Sequence, residues 1–243
     1  GQDVRLGQAG IGGFAFGESH ARGYRGAGMD RSRDRQTQAQ AYLGVMQGPA
    51  YVFGQVGFGR YDRHTQRSLL LGERYRGTAT AYSGNFSSAS VEAGLRLDSP
   101  VAAVTAYAGA EHTRVDRDGF TEAGADGFGL VTNDSRGERT HGLAGVRAER
   151  AWRLADGSEL TLRGYSEWQQ FLSGQGLVFD ASFAGVDAWS PVLGEDARSS
   201  GGLVGVGVDW QLLRRGTLSF GYDQRVGVRT PERAVAMQFA LDF

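Results

Sequence analysis

Over most of the chain, large apolar residues alternate one for one with small or polar residues. The clearest stretch is 234–243, where Val235, Met237, Phe239, Leu241 and Phe243 are separated by Ala234, Ala236, Gln238, Ala240 and Asp242. Successive side chains of a β-strand point to opposite faces, so this period of two predicts a strand with one apolar face and one small or polar face. Residues 203–212 repeat the pattern, with Val204, Val206, Val208, Trp210 and Leu212 set against Gly205, Gly207, Asp209 and Gln211. Strands are also predicted at 9–23, 37–46, 51–61, 78–97, 141–152, 159–170 and 217–225. Residues 101–115 form a further strand whose phase the pattern leaves open, because both faces are small, and 1–6 form an extended fragment. The count is about ten strands plus that fragment.

The connections fall into two classes. Short ones at 47–50, 98–100, 155–158 and 214–216 carry Gly, Pro or Asp-Gly, residues that reverse an extended chain tightly. Long polar stretches at 24–36, 62–77, 116–139 and 171–200 read as loops, and the last, with Pro191 and several aromatics, is expected to fold locally or to plug part of an opening. All four prolines fall in connections rather than strand interiors. Counting along the chain, the short turns share one end with Phe243 and most long loops share the other.

An exposed apolar strand face is an aggregation hazard in water but a requirement in hydrocarbon. Strands of about ten residues, each polar on one face, with loops sorted by length, predict an all-β antiparallel transmembrane β-barrel with short periplasmic turns and long extracellular loops. Trp152 and Trp210 lie a few residues before short turns, where an aromatic girdle would meet the lipid headgroups.

Composition changes this picture little. The 243 residues include 39 Gly and no Cys, which excludes a disulfide scaffold and a thiolate metal site. Every basic residue other than histidine is Arg, and the formal net charge is −1 with both signs interspersed, which argues against a nucleic-acid surface. No apolar run is long enough for a transmembrane helix, and a mean hydropathy of −0.35 suits a barrel with a polar lumen and loops. The sequence starts at Gly1 with no visible signal peptide, so a mature or excised segment is expected.

Signals for catalysis are weak, and no catalytic residue, cofactor or metal is expected. Ser19 and His20 are adjacent, so on a strand they point apart and form no dyad. Residues 164–168 lack the second Gly of a nucleophile elbow, and the pairs Gly10/Gly12 and Gly205/Gly207 lack the rest of a dinucleotide fingerprint. His20, His64, His112 and His141 have no ligand spacing.

The middle of the chain is similar to a known family. Tyr107-Ala108-Gly109-Ala110, then Asp118-Gly119-Phe120-Thr121-Glu122-Ala123-Gly124-Ala125, then Gly142-Leu143-Ala144-Gly145-Val146-Arg147 resemble, in that order, the β-domain of bacterial autotransporters, the type V secretion proteins. Gly1-Gln2-Asp3 followed by Gly12 is similar to the family's second and third strands, and 234–243 to its end. The resemblance implies a monomeric outer-membrane barrel of twelve strands, threaded by a linker helix from an N-terminal passenger that it helps export to the surface. On that reading, 1–243 is a translocator domain lacking its first strand, most of its second and the linker helix. Its partners would be the lipid bilayer, its own passenger and the barrel-assembly machinery, for which Val235, Met237, Phe239, Leu241 and Phe243 would form the assembly signal.

The polar residues proposed to face the lumen are Glu92, Arg96, Arg147, Glu149, Arg163, Tyr165, Glu167, Asp209, Asp223 and Gln238. Glycines on the same face would leave room for a threaded helix or extended chain. The rival readings are a self-contained outer-membrane barrel acting as a small pore or adhesin, or a loop-borne hydrolase using residues such as His112, Asp116 and Asp118.

Overall fold

The structure, a computed structural model, describes residues 1–25, 30–71, 73–124, 127–186, 188–193, 200–213, 216–227 and 233–241. Its first six strands are β1 (Gln2–Leu6), β2 (Gly10–Arg25), β3 (Asp30–Gln47), β4 (Ala50–Leu71), β5 (Arg74–Asp98) and β6 (Ala103–Arg117). Three short strands follow, β7 (Phe120–Thr121), β8 (Ala123–Gly124) and β9 (Leu130–Thr132). The remainder are β10 (Ser135–Arg153), β11 (Glu159–Phe183), β12 (Ser190–Leu193), β13 (Gly201–Leu213), β14 (Gly216–Val226) and β15 (Arg233–Leu241). All belong to one sheet, whose main path runs β1-β2-β3-β4-β5-β6-β10-β11-β13-β14-β15, every neighbouring pair being antiparallel.

Each main-path strand is therefore a hairpin partner of the next, the meander expected of an up-and-down barrel wall. Gly48 and Gly157 take positive φ (59° and 83°) in two of the short turns, a backbone region that glycine enters without a Cβ clash. Asp156 tightens the second turn by accepting from the Ser158 amide and hydroxyl at 2.9 and 2.6 Å.

The register sorts side chains into two faces. One lateral row runs Phe14, Ala41, Val56, Ala89 across β2 to β5, and another runs Trp152, Leu160, Trp210, Leu218, Phe239 across β10 to β15. The opposite face carries the row Tyr51, Gly94, Tyr107, Gly145, Glu167 and the row Arg147, Tyr165, Gly205, Asp223. Val101–Val115, left unphased by the sequence, is set by Tyr107, which lies on the polar face and is only 5% exposed.

No second layer covers the apolar face. Among the described residues the only buried hydrophobic side chains are Tyr107 and Ala181, whereas Phe16 is 73% exposed, Phe58 61% and Val235 80%. A soluble sheet must bury its apolar face against another element, and this one carries an apolar belt along its whole path instead. The belt is a membrane-facing surface.

Two expectations are corrected. The stretches 24–36 and 62–77, read as loops, are mostly strand: β2 and β3 extend to Arg25 and from Asp30, and β4 and β5 are 22 and 25 residues long. Charge excludes a residue from hydrocarbon but not from a ladder that continues into water, where opposite charges meet across strands, as Arg63 and Asp34 do at 2.7 and 2.8 Å. Likewise β11 runs on to Phe183, and part of the segment expected to be loop or plug returns as β12 to pair with it. The fifteen strands thus comprise eleven on the main path, matching ten predicted strands and the fragment, plus four short ones in the former loops.

Those short strands bridge the sheet beyond the ends of β6 and β10. Strand β8 adds to β5 at Thr78 and Ala79, while β9 joins β7 to β11 at residues 181–183. Strands β1 and β15 end the path, and among the described residues neither has a partner on its outer edge.

Candidate functional site

The polar face encloses a groove of about 1640 Å³ that reaches from Arg5 on β1 to Gln238 on β15. Its chemistry is that of compensated charges. Arg147 donates two hydrogen bonds to Glu92, at 2.7 and 2.6 Å, reaching over β6, which lies between their strands. Glu92 also accepts from the Tyr51 hydroxyl at 2.6 Å, and the Arg147 guanidinium lies 3.7 Å from the centroid of the Tyr107 ring. Tyr107 in turn donates to Glu167 at 2.8 Å. A continuous polar strut therefore crosses β4, β5, β6, β10 and β11. Bidentate guanidinium–carboxylate geometry and stacking on an aromatic face are the two arrangements that Arg, unlike Lys, can satisfy together.

The remaining groove residues pair more locally. Arg96 reaches Glu149 at 2.5 Å and Asp98 at 3.0 Å, and Arg163 reaches Asp209 at 2.9 Å. Tyr165 donates to Asp223 at 2.7 Å across β13. Gln238 lines the groove opposite Ser219. Glu92, Arg96, Arg147, Glu149, Arg163, Tyr165, Glu167 and Asp223 also line it, whereas Asp209 touches it only through Arg163. Of the lipid-side residues singled out in the sequence, Val235, Met237, Phe239 and Leu241 are exposed on the opposite face of β15, and Phe243 lies outside the described residues. Trp152 and Trp210 sit in one row, two strands apart with Leu160 between them, beside the short turns.

Several glycines of this face need a different account from that of empty space, which holds at Gly221, where an added Cβ would meet nothing within 4 Å. A Cβ on Gly94 would meet the Tyr51 ring, one on Gly145 the Tyr107 hydroxyl, one on Gly205 the Tyr165 ring, and one on Gly59 the Phe86 ring. The room they leave is filled by a neighbouring strand's aromatic ring rather than kept open, the cross-strand aromatic-over-glycine arrangement. Local spacing gives no hint of these couples, because each glycine and its ring come from different strands.

A second polar centre lies at the long-loop end and involves residues not singled out as functional from the sequence. Glu122, 7% exposed, accepts from Arg67 at 2.8 and 2.5 Å, from Thr80 at 3.2 Å and from the Leu130 amide at 2.9 Å. Nearby, Arg117 stacks on Phe179, with Phe120 and Tyr82 around it, at 4.1, 5.2 and 5.8 Å from the ring centroids. Burial among these rings pushes its pKa below the ordinary arginine value, with Tyr82 and Tyr61 acting in the opposite direction. The sequence did carry a signal, since Glu122 lies in the Phe120-Thr121-Glu122-Ala123-Gly124 stretch on which the family resemblance rests.

The residues considered for hydrolysis do not converge. His112 Nδ1 lies 3.0 Å from the Thr140 hydroxyl, Asp116 holds Arg114 and Arg136, and Asp118 accepts from Ser83 at 2.6 Å. His20 lies 3.0 Å from Glu18, on the face opposite Ser19. No group of three or more metal-ligating side chains occurs among the described residues.

A single antiparallel sheet with an apolar outer belt and a charge-compensated inner wall defines a membrane-spanning β-barrel wall. The family described as the autotransporter beta-domain matches residues 1–223, and the chain belongs to it. The fold is similar to the translocator domain of the autotransporter NalP from Neisseria meningitidis, with a TM-score of 0.75 at 15% identity over 99% of this chain and 78% of that one. It is also similar to the beta domain of the Bordetella autotransporter BrkA, with a TM-score of 0.56 at 17% identity over 98% of this chain and 94% of that one. No curated protein matches the chain by sequence. The chain is an outer-membrane translocator domain of an autotransporter, a family whose β-domains act in translocation rather than catalysis.

Proposed function

We propose that this domain forms most of a translocator barrel and that strands preceding Gln2 complete it between β1 and β15. The observation that carries the reading is the combination of an amphipathic single-layer sheet with two edges unpaired among the described residues. Backbone groups on an open edge in hydrocarbon each cost several kcal/mol, of order 3 or more, so a spanning sheet must close. A linker helix or extended segment leading to an N-terminal passenger would then lie against the inner wall, with Glu92, Arg147, Glu149, Arg163, Glu167 and Asp223 offering hydrogen bonds while remaining paired with each other.

The barrel works as a monomer, is inserted by the barrel-assembly machinery through the exposed apolar face of β15, and performs no chemistry of its own. Support for the last point is that the inner-wall carboxylates Glu92, Glu149 and Asp209 are held by guanidinium groups. The test is protease shaving of intact cells making the full-length protein, followed by electrophoresis of the membrane fraction with and without heating. Loss of an upstream surface domain, with a heat-modifiable barrel left in the membrane, is the expected result. If nothing upstream is shaved and the intact barrel conducts ions, the self-contained pore replaces this reading.

A further inference from the structure

The outward face of β2, β3 and β4 changes character abruptly at the end of its apolar belt. The last apolar row is Phe16, Ala39, Phe58, and the rows beyond it are Glu18, Thr37, Arg60, then His20, Arg35, Asp62, then Arg22, Arg33, His64, then Tyr24, Arg31, Gln66. Five guanidinium groups and two imidazoles thus share this small face with two carboxylates. Both carboxylates sit in the rows nearest the belt and have guanidinium partners, Glu18 with Arg35 at 2.6 Å and Asp62 with Arg60 at 3.8 Å. Arg22 and Arg33 face each other directly across the ladder, with His64 next to Arg33 and Arg31 one row further out.

Like charges directly opposite on a sheet repel, and nothing within the described residues relieves this pair. Arg22, Arg31 and Arg33 are exposed and have no carboxylate against them. Elsewhere at the long-loop end the same chemistry is satisfied internally: Arg63 by Asp34, Arg67 by Glu122, Arg114 and Arg136 by Asp116. No carboxylate among the described residues balances Arg22 and Arg33.

We infer that this patch binds the phosphorylated headgroup of an outer-leaflet glycolipid, whose acyl chains lie along the apolar belt directly below. Two features select that ligand. The patch is continuous with the lipid-facing belt, on the outward face rather than in the groove. Its depth is the second: each row adds about 6.8 Å along the strand, so the Arg22–Arg33 row lies roughly 20 Å from Phe16, or about 14 Å above the belt at a typical 45° tilt. A phospholipid headgroup reaches only about 5–7 Å beyond the hydrocarbon, so a headgroup extended by phosphorylated sugars is required to meet all the rows. Paired guanidinium groups are suited to phosphate, which they grip in bidentate fashion.

The inference rests on the outer-membrane orientation, with the long-loop end facing the cell surface, and its test separates the two. The purified, delipidated full-length protein in detergent is titrated with bisphosphorylated lipid A and, separately, with the same lipid after phosphate removal, while bound lipid is counted by native mass spectrometry. The phosphorylated form is expected to bind at least about tenfold more tightly, with the difference lost in R22Q/R33Q and retained in R22K/R33K. Inorganic phosphate at equal concentration is expected not to displace it, since it lacks the acyl anchor. Heat-modifiable migration of each variant reports that the barrel is folded, and the single variant R31Q, expected to lose part of the preference, serves if the double variant does not fold. Equal binding of the two lipids, or an unchanged preference in the folded variants, overturns the inference. Displacement by inorganic phosphate overturns it as well, by identifying a free-anion site.

Discussion

The hydroxyl of Tyr165 donates to Asp223, two strands away, at 2.7 Å, with the tyrosine ring occupying the space a Cβ on Gly205 of the strand between would take. A tyrosine can span a neighbouring strand this way only if that strand offers no Cβ. The same geometry joins Tyr107 to Glu167 across Gly145 at 2.8 Å. These couples lock three strands at a time into one register, which a sheet with no apolar core otherwise sets only through its ladder.

Gly205→Ala is therefore expected to be more damaging than Tyr165→Phe. The added methyl would collide with the Tyr165 ring and the Asp223 carboxylate, whereas the phenylalanine loses one hydrogen bond, worth on the order of 1 kcal/mol. The temperature at which the folded band converts to the unfolded band on electrophoresis should fall clearly for the first and slightly for the second. Equal falls would mean that the ring's position is not what Gly205 protects.

Glu92 and Arg147 make the only bidentate ion pair between β5 and β10 among the described residues. Glu92→Gln should cost on the order of 1–3 kcal/mol, because the guanidinium keeps Tyr107 but loses its counter-charge in a partly dry groove. A Glu92→Arg/Arg147→Glu exchange should recover part of the loss in denaturant unfolding from detergent. No recovery would place the cost in geometry rather than charge.

The Glu122 carboxylate ties the connection between β6 and β10 to Arg67 and Thr80. Glu122→Ala is expected to release residues 118–134 to added protease while the membrane-embedded strands stay protected. Because Arg67 retains partial exposure, the cost should be about 2 kcal/mol, below that of breaking a fully buried pair. Unaltered cleavage would show that the short strands β7 to β9 hold this segment without the carboxylate.

Acid should loosen the long-loop end before the barrel. Hydrogen bonds from Arg114 and Arg136 hold the Asp116 carboxyl below the usual aspartate range. A depressed folded-state pKa means that the stabilisation is fully present above the unfolded value, about 3.9, and is lost as pH falls through the folded value. Amide exchange at 112–117 and 135–140 should therefore rise below about pH 4, and do so less in Asp116→Asn, which lacks the titrating group. A rise of the same size in Asp116→Asn would place the acid sensitivity in another group.

Much of this fold could be read from period-two alternation, because a membrane wall forces one face of each strand to be apolar. Residues 203–212 and 234–241 were unambiguous for that reason. Residues 101–115 do not read so clearly, since Ala106, Ala108 and Ala110 on the lipid side are smaller than Thr105 and little larger than Gly109 on the other, and only the Tyr107 couple sets the phase. The charged strand ends at 30–36 and 62–71 read as loops in the sequence because hydropathy cannot distinguish a hydrated strand from a turn; their pairing is cross-strand and long-range. Alternation identifies the groove residues singly but not their partners: Glu92 and Arg147 are 55 positions apart, a relationship that follows from topology alone.

A membrane-spanning wall requires alternate residues of the main-path strands to face lipid and a polar interior. The natural absence of cysteine makes it directly measurable. Single cysteines placed at Ser219 and Phe220 on β14, in protein inserted into liposomes, would carry a fluorophore whose quenching is compared between lipid-attached and water-soluble quenchers. The label at Phe220 should be quenched from the lipid and the label at Ser219 from water, with the order repeated at Val208 and Asp209 on β13. Equal quenching at both members of each pair, or quenching only from water, would contradict a membrane-spanning wall.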